Sequence, residues 1–253
     1  MKKFELIPEM TRVILGTTLF RIRALISFGY VNKGDTGGWL ETESNLSQEG
    51  DAWVSGNAQV YGEAAIYGNA QVYGNAQVFD GARVSGDARV YGSARIYGNA
   101  RIYDDTEVYG EAWVYENAQV YGNAEVYDGA GIYGEARIYG DAEIFGNAQL
   151  YGTAQVFSNT HWFISGPVGS ERGVITAFRQ KDNSVQVNRG CFSGTIDEFK
   201  KDVNKNHGNN RYGREYRALI EFIRLRLDDV DMTESQSVRT GTVTPVAGEV
   251  SRG

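Results

Sequence analysis

The sequence predicts a mainly β protein: a parallel β-helix of about six 18-residue coils, with an N-terminal β cap and a small C-terminal α+β cap. Three observations predict it. An aliphatic residue recurs at every sixth position from Val54 to Val156, in 18 consecutive hexads spanning 108 residues with no insertion or deletion. Ala stands two residues before each aliphatic, Thr106 being the sole exception, and Tyr or Phe follows the aliphatic in 16 of the 18 hexads. Most hexads then turn on Gly beside Asn, Asp, Glu or a similar small polar residue, a pairing that tolerates positive φ. Repeats this short cannot bury an apolar face alone, so they must stack on one another.

Strand geometry assigns the faces. In Ala-Gln-Val-Tyr successive side chains point to opposite sides, so Ala and Val face inward while Gln (or Arg, Glu, Trp) and Tyr face outward. One short strand and one corner per hexad close most simply as a triangle of three hexads. Six such coils make a prism about 29 Å long, with an axis filled by aliphatic and Ala side chains and no room for a ligand.

A stack of coils has two open ends, and exposed strand edges invite polymerisation. Residues 1–50 read as the first cap: "KKFELI" and "LFRIRALISF" alternate like half-buried strands, and Trp39 and Leu40 are expected to cover the apolar end. Residues 51–158 form the β-helix. Residues 159–227 form the second cap, a hairpin turning at Lys181–Ser184 followed by two helices. Thr195 and Glu198 make a capping box, and Ile196, Phe199 and Val203 form the buried stripe of the first helix, which ends at His207-Gly208. Tyr216, Leu219, Ile220, Ile223 and Leu227 mark the second helix. Residues 228–253, poor in large apolar residues, read as a flexible tail.

Composition narrows the function classes. A net charge of −7 argues against general nucleic-acid binding, and the lone Cys191 excludes an intramolecular disulfide framework. The N-terminal segment lacks an unbroken apolar run, because Thr17, Thr18, Arg21 and Arg23 interrupt it, so neither a signal peptide nor a membrane span is predicted. The expected location is the cytoplasm.

The aliphatic residue followed four positions later by a small one, as in Val54 with Ala58, resembles the hexapeptide repeats of the left-handed β-helix, or trimeric LpxA-like, superfamily. The left hand is implied by that resemblance. "KGDTGGWLETESNLSQEGDAWV" running into the hexads looks like the YdcK-like hexapeptide proteins. "GCFSGTIDEFKKDVNKNHGNNRYGREYRALIEFIRL" is similar to the terminal module of their phage and prophage relatives. Many members of the superfamily are trimeric acyltransferases that use CoA or acyl-carrier thioesters and a His general base. Here neither His lies in the hexads, and no inserted loop builds an acceptor pocket. His161 is the single catalytic candidate, and its structural reading is a ring packed at the cap junction beside Trp162. His207 precedes a helix-ending Gly, an ordinary place for an imidazole. The zinc site of related γ-type carbonic anhydrases needs three His ligands, so no metal and no cofactor are predicted.

The outer surface carries more. With 18-residue coils the aromatic residues fall into three ladders, broken only at Ser55 and Ser85. Stacked rings stiffen a coil without any ligand, yet three aromatic stripes also make a surface suited to association. One side sets Arg83, Arg101 and Arg137 beside Tyr103, Tyr121 and Tyr139, a pattern that could hold an anionic, ring-containing ligand by stacking and charge-assisted hydrogen bonds. The leading expectation is a non-catalytic scaffold or binding protein that self-associates, with a homotrimer favoured. The alternatives are a sequestering module for a nucleotide-like anion at inter-subunit clefts and a CoA-dependent acyltransferase.

Overall fold

The computed structural model describes residues 1–228; residues 229–253, most of the segment read as a flexible tail, lie outside the described residues. Two-residue strands from Trp53–Val54 to Gln155–Val156 stack into three parallel sheets, each strand pairing with the one 18 residues away. Every inward Ala and aliphatic residue of the 18 hexads is at most 1% exposed, so the column down the axis is dry and continuous. Thr106 takes an Ala place because its hydroxyl donates to the Tyr103 carbonyl at 2.7 Å, which removes the penalty for burying it.

The stack contains about seven turns, one more than the repeat suggests, because it begins before the hexads do. Leu40 pairs with Val60 and Leu46 with Ile66, so both occupy inward places. These two are six residues apart, but eight separate Leu46 from Val54, and that insertion hides the first turn from a period-six reading. Gly38 takes the Ala place of this turn, where a Cβ would lie 2.7 Å from Val54 Cγ1.

Trp39 does not plug the apolar end. It precedes an inward Leu, so strand parity sends it outward, beside Gln59 in the next turn. Its ring lies between the Arg12 and Arg21 guanidinium groups, at 4.5 and 4.6 Å. The antiparallel hairpin Phe4–Ile14/Thr17–Ala24 covers the end instead, with Phe4, Ile22 and Ala24 joining the axial core. Lys3, 2% exposed, donates to the carbonyls of Glu49, Gly50 and Ala52, which have no turn above them to accept from. Burial lowers its ammonium pKa to about 8, against a smaller opposing pull from Asp51. The ammonium therefore stays charged at neutral pH.

The corners alternate in a way the glycines explain. Asp80, Asp104, Glu116 and Asp128 also adopt positive φ, and in each corner column the next turn on either side carries Gly. The Asp80, Asp104 and Glu116 carboxylates accept from the Gly98, Gly122 and Gly134 amides one turn on. At Gly92 (φ +69) a Cβ would sit 2.8 Å from the Gly110 amide nitrogen. We expect Gly92→Ala to cost about 1 kcal/mol in urea unfolding, and Asp104→Gly to change stability by less.

At the far end the predicted hairpin, Gly173–Arg179/Val185–Arg189, is the centre of a four-stranded antiparallel sheet completed by Trp162–Val168 and Phe192–Thr195. Its two faces do different work. Trp162 and Phe178 close the axial core, while Ile175, Ala177 and Val187 pack under the helices α1 (Ile196–His207) and α2 (Arg211–Asp228). The Thr195–Glu198 capping box starts α1, and Gly208 follows its C-terminus at φ +50. Tyr216, Ile220, Ile223 and Leu227 are buried against the sheet.

Candidate functional site

With the axis filled, chemistry is confined to the outside of the prism, and its three faces differ. The first is nearly uncharged. Its outward column runs Gln59, Gln77, Arg95, Trp113, Gly131, Gln149, with Arg95 its sole charge. Its ladder runs unbroken from Tyr61 through Phe79, Tyr97, Tyr115 and Tyr133 to Tyr151, with rings 4.8–5.1 Å apart. The Tyr151 hydroxyl bonds to Asn188 and Ser193 of the second cap. Burial in the stack, and then the neighbouring phenols, hold Tyr115 up at about 12.

The second face turns acidic along its length: Trp53, Gln71, Arg89, Glu107, Glu125, Glu143. Tyr91 donates to Glu107 at 2.8 Å and Tyr109 to Glu125 at 3.0 Å. Burial and then these bonds raise both phenols well above the usual range, so neither is a proton source at physiological pH. Two of the rings here, Tyr91 and Tyr109, are therefore held by carboxylates.

The third face is basic. Arg83 pairs in register with Arg101, Arg101 with Gln119, and Gln119 with Arg137, which brings the sequence-predicted arginines onto one side. Tyr103, Tyr121 and Tyr139 stack beside them at 4.9 and 5.1 Å. The arginine side chains are exposed and form no ion pair among the described residues. These stacked rings leave no space between them. The space lies one turn earlier, where Ser85 interrupts the ladder between Tyr67 and Tyr103. A notch of about 310 Å³ opens there, with Arg83, Arg101, Asp104 and Gln119 on its walls. The repeat showed the break at Ser85 as a missing ring; only the register places an arginine pair beside it.

His161 is 0% exposed. Its ring meets Phe157 edge-on at 4.0 Å, and Nδ1 accepts from the Phe157 amide at 3.4 Å. Burial, and then the charge of Arg179, lower its pKa to about 4. The imidazole is neutral and sealed at the junction of stack and cap. At the end of α1 His207 meets Tyr212 edge-on and Tyr216 at a tilt. Among the described residues no group of three or more His, Cys, Asp or Glu could hold a metal ion, and no helix is long and apolar enough to cross a membrane.

Residues 82–95, 94–116 and 118–134 match the YdcK β-solenoid repeat family, so the middle of the stack carries repeats similar to those of YdcK-like proteins. No curated protein matches the chain.

Proposed function

We propose that this β-solenoid of YdcK-type repeats is a non-catalytic binding scaffold that associates with further copies of itself, side by side, into a trimer. The observation that carries this is the nearly uncharged face. Six aromatic rings flank a column with one cation and no acid, and Trp113 stands 46% exposed at its middle. Gln149 lies across Gly131 and levels the surface beside that indole. A large apolar side chain on such a strip, whose one cation, Arg95, lies over the indole ring at 5.6 Å, is the usual centre of an interface. Both ends of the stack carry caps, so growth by end-to-end pairing is blocked and the faces remain.

The sealed position of His161 and the unbroken hexad register support a non-catalytic role, because a general base must reach an acceptor. The flanking motifs support a phage or prophage origin, and the lone Cys191 supports a reducing compartment, the cytoplasm of a bacterial host. Light scattering coupled to size exclusion should give the trimer mass at micromolar concentration, and Trp113→Glu should give the monomer. A monomeric wild-type chain would overturn the self-association. Acetyl-CoA should produce no heat on titration; turnover abolished by His161→Ala would restore the acyltransferase reading.

A further inference from the structure

We infer that the notch at Ser85 is a binding site for a nucleoside 5′-monophosphate, whose base completes the interrupted ladder and whose phosphate lies on Arg83 and Arg101. This site is on the basic face and is independent of the self-association through Trp113.

The geometry is that of a missing rung. Rings on this face repeat at 4.9 Å, the separation of Tyr103 and Tyr121. Ser85 removes one ring from the series, so Tyr67 and Tyr103 stand two repeats apart with a space one aromatic ring thick between them. Tyr67, with no ring above or below it among the described residues, is 42% exposed, unlike Tyr103, Tyr121 and Tyr139, the half-buried stacked rings of this face. A planar heterocycle entering there meets an aromatic face on each side, the arrangement by which proteins hold bases without reading their sequence.

The surrounding charges select the ligand. Arg83 and Arg101 lie in adjacent turns, and neither is neutralised by an ion pair among the described residues. Two guanidinium groups one turn apart suit the oxygens of one phosphate. The arginine column and the ring column are two residues apart along each strand, about 7 Å, which is the reach from a base to its own 5′-phosphate. On the far side Asp104 lines the notch, its carboxylate held by the Gly122 amide at 3.2 Å and able to accept from an amino group on the base. A notch of 310 Å³ is at the lower end of the range for small-molecule sites.

The other break in the ladders shows why the match is selective. Ser55 also opens a cavity, but it lies at the end of its ladder; Tyr73 is not among its walls, which include Tyr30, Trp53, Gln71, Asp35 and Asp51 and no arginine. That cavity lacks the two ladder rings and the arginine pair, and its acidic walls repel an anion.

The test is calorimetric titration of the whole chain with adenosine 5′-monophosphate, adenosine and ribose 5-phosphate. The nucleotide should bind, and each fragment should bind at least about tenfold more weakly. Ser85→Tyr restores the ring, so it should fold, melt no lower than wild type and lose binding. Arg83→Gln combined with Arg101→Gln should weaken binding about tenfold or more at an unchanged melting temperature, and it serves as the deciding variant should Ser85→Tyr not fold. No heat with the nucleotide overturns the site. So does full binding by Ser85→Tyr, or ribose 5-phosphate binding as tightly as the nucleotide, which would mean an anion patch that makes no use of the rings. Trp113→Glu should bind the nucleotide unchanged, which separates failure here from failure of the self-association.

Discussion

Ile102→Asp should abolish the folded solenoid, while Gln119→Asp should leave it intact. Ile102 is 0% exposed and sits between Val84 and Val120 in the middle of the stack, and the inward Thr106 hydroxyl nearby is already committed to the Tyr103 carbonyl. Burying that charge, or holding it protonated, costs about 5 kcal/mol or more, a large fraction of what a domain has in reserve. Each turn touches its neighbours alone, so a broken central turn also uncouples the two halves. Gln119 faces outward between Arg101 and Arg137, and a carboxylate there gains two cationic neighbours. Circular dichroism and thermal melting check the pair: the first variant should lose the cooperative transition and the second should keep it within a few degrees. Similar behaviour of the two would contradict the assignment of inward and outward columns.

How much of this could be read from the chain follows from where its physics is local. The hexads were legible because Ala, aliphatic and aromatic residues each keep one role for 108 residues, and an 18-residue period fixes which of them meet. The first turn was hidden because a two-residue insertion shifts Val54 away from Leu46 and because Gly38 replaces the expected Ala. Trp39 was misplaced for the same reason: once Leu40 is known to face inward, parity alone sends the indole out. In the second cap the turn, the capping box and the helical stripes were visible as local signals, whereas the outer strands Trp162–Val168 and Phe192–Thr195 depend on pairing across the sheet. The arginine column came from arithmetic on the period. The notch did not, because it is the combination of an absent ring with two facing walls, and a residue-by-residue reading registers an absence only as a break.

Mild acid should loosen the second cap, and His161 should account for the part of that loss centred between pH 6.5 and 4. The side chain is packed against Phe157, its Nε2 has no hydrogen-bond partner among the described residues, and Arg179 adds a positive charge nearby. Burial first, and then Arg179, hold the folded-state value at about 4, against 6.5 for an ordinary imidazole. Between those limits the unfolded chain binds a proton that the folded chain refuses. Stability from this group is therefore complete above about pH 7, falls as the pH drops through 6.5, and levels off below 4, a total of about 3 kcal/mol. His161→Phe keeps an aromatic ring in the site and has no proton to take up, so its stability should lack that component. Urea melts of both proteins at pH 7 and pH 4.5, followed by the fluorescence of Trp162 where it meets Phe145, measure the difference directly. Carboxylates elsewhere in the chain titrate identically in the two proteins and cancel in the comparison. An equal loss in wild type and variant would mean that the buried imidazole is not what makes the junction of cap and solenoid sensitive to acid.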